Sequence, residues 1–571
     1  MLSLFKFLIL GAISFTSVNA ECKVIPGSAG WPSSADWDAL NQTLGGQLIK
    51  PTPPGAVCHS DQPTYNNATC AVIAQQWSNY TFHADNPVST DWDNTNNDTC
   101  LPDPAQPCSS MGYPVYVVNA TTPEHVAMGV NFAAANNIRL IVKATGHDYL
   151  GRSASPNSLS IWTHNMRGIN FHGTFQPQGC NYSIPTTAVT AAAGHNLLDL
   201  YAATDSYNST IVGGLEATVG IGGYLTGGGH SPLSSAYGIA ADNILELSVI
   251  TPSGSMLTVN ECQNTDLFYA FRGGGGGTFG IMTNVTLKTY PTPPVSLLSL
   301  QLTMSSATDD IWDMIAYILT QYPYLSNKTI TAYPEIGTSS SGNATTIYFT
   351  ADFRSISPQV VPYLSAAMQP IISHIRSTWP AASLNYTTSS YPTFYSHFLA
   401  TAYSAPPGYN FRLGSRLLDA PTLTGNLTAL TRTVKSFCSQ FGCGPLLLGG
   451  KGIWDAVPRG GSDAVNPAWR KTVVHFVTGA VWAANNATAK ASAVAAMEQR
   501  VTYLRDLLPN SGSYLNEANQ DEPDFQQAFW GTNYPKLAAI KKAYDPTDVF
   551  WCHPCVGNEG WQEVGDMLCR V

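Results

Sequence analysis

The residues best placed to do chemistry lie in residues 140–152, reading LIVKATGHDYLGR. Residues 140–143 form a short β-rich run that breaks into Thr145-Gly146-His147-Asp148, with a second glycine at Gly151. A buried strand ending in small residues delivers backbone N–H groups to one point, and concave rows of N–H groups bind anions. His147 stands at the tip of this turn beside a glycine, so a large ligand can approach it closely. An ordinary strand-to-loop turn with a surface histidine reads the same way, so the stretch has to be weighed with the rest of the chain.

A second stretch, residues 212–229, reads VGGLEATVGIGGYLTGGG and runs into His230. Glycine at this density is either a flexible linker or backbone meeting a ligand. A linker would be polar, whereas here Leu215, Val219, Ile221 and Leu225 are interleaved, which marks packed backbone and favours the ligand cradle. A third stretch, Gly275-X-Gly277-X-X-Gly280, matches the dinucleotide fingerprint. Its context is reversed: a helical segment, 266–272, precedes it and a strand, 280–288, follows, so a Rossmann site is rejected. There is no HExxH and no P-loop. Cys552-His553-Pro554-Cys555 has the spacing of a redox dithiol or half a zinc site, but with ten other cysteines present a structural disulfide is favoured. Paired carboxylates for glycoside hydrolysis are not marked at any particular pair.

The elements that must position these residues can be read from periodicity. Residues 115–118 form a strand. Thr122-Pro123-Glu124 gives an N-cap with proline at the first helical position, and Val126, Val130 and Ala133 share one helix face. Asn136-Asn137 ends the helix, residues 138–143 form the next strand, and the histidine turn follows this β-α-β unit. Residues 158–162 form another strand, 188–193 an apolar run, and 196–203 a helix. Residues 244–250 and 256–259 flank the turn 251–254 as a hairpin. Pro291-Thr292-Pro293-Pro294 is a hinge and the expected domain boundary. Beyond it, strands mix with amphipathic helices, one starting near Asp309 with Ile311, Trp312, Ile315 and Ile318 inward.

The chain of 571 residues is long enough for two or more domains. Charged residues make up 11% and hydrophobic residues 44%, a globular composition. A net charge of −10 without any Lys/Arg run argues against nucleic acid. Residues 1–20 read as a signal peptide, with Lys6, an apolar core over 7–17 and Val18-Asn19-Ala20 before the cut. That core is too short for the ~20 residues of a membrane span. The twelve cysteines then imply disulfides, Cys438–Cys443 being a plausible local loop. Sequons at Asn41, Asn67, Asn79, Asn97, Asn119, Asn181, Asn208, Asn284, Asn327, Asn343, Asn385, Asn426 and Asn486 imply a glycosylated surface. The expectation is a secreted, extracellular protein, monomeric, with no membrane and no nucleic-acid partner. Residues 21–109, with five of the twelve cysteines, read as a disulfide-stapled arm of structural function.

Taken together, residues 143–152, 218–243 (TVGIGGYLTGGGHSPLSSAYGIAADN), 271–283 (FRGGGGGTFGIMT) and 529–550 (FWGTNYPKLAAIKKAYDPTDVF) resemble secreted flavoprotein oxidases. The family is the vanillyl-alcohol oxidase / p-cresol methylhydroxylase superfamily, in its berberine-bridge-enzyme-like branch, near the fungal isoamyl alcohol oxidase-like group. The resemblance covers roughly residues 110–560. It implies an α+β fold: a two-subdomain FAD-binding domain of the p-cresol methylhydroxylase type, over 110–295 and completed by 520–571, plus an α+β substrate domain on an antiparallel sheet, over 296–519. It implies FAD bonded covalently through His147. The other cofactor contacts would be Lys143, Ala144, Thr145, Gly146, Asp148, Gly151, Arg152, Thr218, Val219, Gly220, Gly222, Gly223, Gly227, Tyr237, Asn243, Ile281 and Asn533; no metal is expected.

The implied reaction is hydride transfer from an alcohol or related small-molecule donor to FAD, with O2 reduced to H2O2. A flavin-dependent dehydrogenase or oxidative cyclase, a catalytically silent glycoprotein and a carbohydrate hydrolase are the rivals. Two departures from the family pattern matter. Glu216 stands where many relatives carry a second, cysteinyl flavin link, so one covalent bond is expected. Tyr224 stands where histidine is frequent. The family's Tyr-X-Asn-Tyr reads Tyr514-Leu515-Asn516-Glu517 here, which leaves the general base open between Tyr514, Glu517 and neither. The family's oxygen control point, three residues after the linking cysteine, falls on Val219.

Overall fold

The computed structural model describes residues 21–341, 344–356, 360–402, 405–439 and 441–571. The signal-peptide segment 1–20 and the sequon at Asn343 lie outside the described residues.

The first sheet carries the histidine turn. Its strands are β1 (Leu48–Ile49), β2 (Tyr116–Asn119), β3 (Arg139–Lys143) and β4 (Ser158–Trp162), in the order β1-β2-β4-β3. Helix α1 (Pro123–Ala135) links β2 to β3; Thr122 caps it by accepting from His125 N, and proline opens it. The strands β2 and β3 are not neighbours: both pair in parallel with β4, which lies between them. A Cβ on Gly129 would meet Ile161 Cδ1 at 2.4 Å, so glycine lets α1 lie close on the sheet.

The second sheet is antiparallel. It runs β5 (Ile169–His172), β6 (Ala188–Ala192), β9 (Ile281–Lys288), β7 (Ile244–Ile250) and β8 (Met256–Asn260) in spatial order, β7 and β8 forming the expected hairpin. Helices α2 (Leu197–Asp205) and α3 (Ile221–Thr226) lie between β6 and β7 in sequence.

The third sheet has seven strands: β10 (Val295–Ser305), β11 (Ile330–Ser341), β12 (Ala344–Ser355), β13 (Ser383–Tyr391), β14 (Asn410–Asp419), β15 (Gly444–Leu447) and β16 (Thr472–Trp482). Their order is β13-β10-β12-β11-β15-β16-β14, every pair antiparallel. Helices α4 (Asp310–Thr320), α5 (Val360–Thr378), α6 (Leu427–Cys438) and α7 (Ala487–Leu507) pack over one face and bury a core that includes Ile311, Trp312, Ile315 and Ile318. The period-2 alternation of strands then sends the intervening side chains to the other face. Val474 and Phe476 belong to the helix-covered core, and His475 between them does not.

The C-terminal segment returns to the first sheet. Phe550 bridges Leu140 in parallel, and helix α8 (Tyr534–Tyr544) carries Lys541, whose Nζ bonds Thr278 O and Asp545. Disulfides join Cys22–Cys569, Cys58–Cys70, Cys100–Cys108, Cys180–Cys262, Cys438–Cys443 and Cys552–Cys555, leaving no free cysteine. Among the described residues no helix is long and apolar enough to cross a membrane.

Candidate active site

His147 projects from the turn after β3 into a cavity of about 480 Å³ bounded by all three sheets. Gly146 precedes it at φ +98°, and a Cβ there would stand 3.2 Å from Ser89 O and Thr90 Cα, so both the turn and the neighbouring chain require glycine. That neighbouring chain is the N-terminal arm. Expected to be structural only, the arm supplies three residues to the site. Tyr80 stacks on the His147 ring, Trp92 Nε1 donates to His147 O at 3.4 Å, and Asp91 Oδ2 stands 3.1 Å from His147 Nδ1. The other ring nitrogen, Nε2, is hydrogen-bonded to Thr218 Oγ1 at 2.6 Å, and Thr218 Oγ1 also donates to Glu216 Oε1 at 3.0 Å. Burial, reinforced by the charges of His83 and Lys143, pushes the imidazole down to about 3, so it is neutral at physiological pH. Asp91 is fully buried, and neither carboxylate oxygen receives a hydrogen bond among the described residues. Burial raises it well above the usual carboxylate range, with Lys143 opposing.

The cavity fits a flavin dinucleotide on three counts. First, Thr145, Gly146, His147 and Asp148 line it, and their backbone N–H groups find no acceptor among the described residues, a run of free donors suited to a pyrophosphate. Second, Arg152, held by Asp148 and by Asn516 Oδ1, keeps a buried Nη1 without a partner on the same wall. Third, glycines from two stretches leave room for a flat ring system. A Cβ on Gly223 or Gly277 would meet nothing within 4 Å, and one on Gly222 would meet only Met282 Cε at 3.9 Å. Gly220 abuts the histidine turn, where its N–H donates to Thr145 Oγ1 at 3.1 Å.

A polar cluster forms where Tyr333 and His475 of the third sheet meet His230, directly after the glycine run, and Glu517. Glu517 accepts from His230 Nε2 at 3.2 Å through both oxygens and from His475 Nε2 at 2.9 Å. His230 Nδ1 then accepts from Tyr333 OH at 3.0 Å, a tautomer assigned from this network. Burial alone would raise Glu517, but the two imidazoles outweigh it and hold the carboxyl well below the usual range. Burial pushes His475 down, so it donates as a neutral ring. The three ligand-type groups approach within 4.8 Å of one another, and their direct hydrogen bonds account for that proximity. Tyr514 stands edge-on to His230 and His475 and accepts from Asn516 Nδ2 at 3.0 Å; burial raises its phenol.

The structure brings Ala144, Thr145, Gly146, His147, Asp148, Arg152, Val219, Gly220, Gly222, Gly223, Ile281, Tyr514 and Glu517 together around the cavity. Thr218 touches it through His147. Gly227 stands behind it, where a Cβ would overlap the Asn516 amide. Gly151 turns the chain at φ +76° beside Thr95. Four expected contacts are placed elsewhere. Lys143 points back into the arm and donates to His83 O and Asn86 O. Tyr237 stacks on Tyr290, Asn243 holds the Tyr237 and Ile239 carbonyls, and Asn533 donates to Val465 O, so all three brace loops. Tyr224, by contrast, lines the cavity, where its hydroxyl donates to His230 O at 2.9 Å.

Sequence reading missed Asp91, Tyr80, His475 and Tyr333 as site residues. His230 carried a signal, since it directly follows the glycine run. His475, inside VVHFV, carried only that of a histidine in an apolar strand.

Comparison with known proteins agrees with this geometry. A family model described as FAD binding domain matches residues 114–260, and one described as Berberine and berberine like matches residues 513–557. An uncharacterized FAD-linked oxidoreductase of Arthroderma benhamiae is 35% identical over 98% of both chains. The VAO-type flavoprotein oxidase VAO615 of Thermothelomyces thermophilus is 34% identical over 100% of both. The crystal structure of the VAO-type flavoprotein MtVAO713 from Myceliophthora thermophila C1 superposes with a TM-score of 0.88 at 29% identity, covering 97% of this chain and 100% of that one.

Proposed function

The chain belongs to the FAD-linked oxidoreductases of the vanillyl-alcohol oxidase type with a berberine-bridge-like C-terminal segment, and from that premise we propose that it is a secreted oxidase of alcohol groups. FAD, when bound, would accept one hydride, with its two electrons, from the substrate carbon and let O2 take up those electrons as H2O2. The turn N–H groups and Arg152 hold its pyrophosphate, Gly222, Gly223 and Gly277 accept its ring, and His147 bonds it covalently. The six disulfides and the signal-peptide reading support an oxidising, extracellular setting.

The observation that carries this reading is the Tyr333–His230–Glu517 relay, which opens on the same cavity as His147. Tyr333 receives the substrate hydroxyl proton on its oxygen while passing its own to His230 Nδ1. Glu517 stabilises the imidazolium that forms, by the logic of a carboxylate–histidine pair. Glu517, held ionised by two donors, is a weak base and therefore a positioning residue. Tyr514 stays protonated through burial and orients Asn516.

The test is peroxide release across alcohols, sugars and phenols, followed by Tyr333→Phe on the best substrate. The variant is expected to keep its flavin and lose about 100-fold in kcat, the worth of a placed general base. An unchanged kcat removes Tyr333, and absence of peroxide with every donor while a dye is reduced makes the protein a dehydrogenase.

A further inference from the structure

We propose that two carboxylates mature this site. Asp91 removes a proton from the flavin 8α-methyl carbon as His147 Nδ1 bonds to that carbon, and Glu216, through Thr218, takes the proton from His147 Nε2. The inference rests on reading His147 as the flavin-linking residue.

The geometry assigns each part. Nε2 is committed to Thr218 Oγ1 at 2.6 Å, and the hydroxyl's single hydrogen goes on to Glu216 Oε1 at 3.0 Å. The imidazole hydrogen therefore sits on Nε2, and Nδ1 keeps its lone pair. Beside Nδ1, at 3.1 Å, stands Asp91 Oδ2, fully buried and without a hydrogen-bond donor among the described residues. Leaving a buried carboxylate unsatisfied is costly, and a purely structural aspartate at this depth would be given donors. A carbon bonded to Nδ1 would lie about 1.5 Å from it, and Asp91 Oδ2, 3.1 Å from Nδ1, is the carboxylate beside that nitrogen. Glu216 occupies the place where many relatives carry a second link, and here it terminates a proton path from the first.

The step balances. The Nδ1–C bond forms, and one C–H bond breaks, its proton going to the ionised carboxylate of Asp91 and its electron pair into the ring. The Nε2–H bond breaks, and its proton passes over Thr218 Oγ1 to Glu216. The ring is left richer by two electrons, which O2 takes up with two protons as H2O2.

Full-length wild type, Asp91→Asn and Glu216→Gln are incubated with FAD in air. Covalent flavin is followed by acid precipitation and in-gel fluorescence, and the wild-type flavopeptide is analysed for the linked nitrogen. The expected results are linkage at Nδ1 of His147 in the wild type and incorporation at least about 100-fold slower in Asp91→Asn, with FAD still bound but acid-extractable. Glu216→Gln is expected to be slowed less. Covalent flavin in Asp91→Asn at the wild-type rate overturns the proposal, as does linkage at Nε2. If Asp91→Asn does not fold, the wild-type linkage and the Glu216→Gln rate decide: an unslowed Glu216→Gln overturns the relay. Wild-type flavin that is wholly acid-extractable sinks the His147 reading itself, a result distinct from any of these.

Discussion

Tyr80 of the N-terminal arm lies flat on His147, ring centroids 4.5 Å apart and planes 12° from parallel. Its hydroxyl reaches across to Ala405 O at 2.8 Å, so the segment between β1 and β2 of the first sheet and the loop between β13 and β14 of the third meet over the flavin-linking candidate. The arm is thus part of the site. Its disulfides Cys58–Cys70 and Cys100–Cys108 fix its loops over the histidine turn.

His147→Ala is expected to bind FAD noncovalently or to lose it. Denaturing the variant should release flavin to the supernatant, whereas wild-type flavin stays with the protein. A tryptic map of the wild type should carry the FAD mass on the His147 peptide alone. Every cysteine is in a disulfide, and position 216 is glutamate, so a cysteinyl flavopeptide would contradict the single-link assignment.

Gly223→Val should fold and fail to bind flavin. The added side chain points into open cavity, where no protein atom lies within 4 Å of a Cβ, so it clashes with the ring and not with the protein. Absorbance at the flavin band should vanish while circular dichroism is retained. A yellow Gly223→Val protein would move the ring away from α3.

Glu517→Gln should weaken the proton relay and alter the pH dependence of stability. The folded carboxyl is depressed below its ordinary 4.5 by its two imidazole donors, net of burial. A depressed carboxyl contributes stability that is fully present above the unfolded value and is lost as pH falls toward the folded one. Melting curves should therefore show the largest wild-type advantage over Glu517→Gln above about pH 4.5, shrinking in more acid buffers. A constant difference from pH 3 to pH 8 would argue against an ionised Glu517. With a substrate in hand, kcat of the variant is expected to fall about 100-fold.

Val219→Leu should slow flavin reoxidation without slowing its reduction. Val219 lines the cavity next to Gly220 and is half-buried, and one methylene matters where packing is close. Stopped-flow mixing of anaerobically reduced protein with oxygenated buffer reads the effect. Equal rates would release Val219 from this role.

The parts of this protein fixed by local chemistry were legible in the chain. The capped helix after Thr122, the strands Ser158–Trp162 and Ile244–Ile250, and the glycines around His147 all follow from spacing, because capping, strand alternation and positive φ act over a few residues. What only the tertiary structure decided is the direction of side chains and the meeting of distant segments. Lys143 sits on the functional turn yet faces the arm, since strand parity sends alternate residues to opposite faces and the arm fills one of them. His475 reads as core, and it reaches Glu517 because helices cover the opposite face of its sheet. Asp91 carries no local signal at all; its approach to His147 exists only once the arm folds back over the first sheet, a long-range contact that no periodicity encodes.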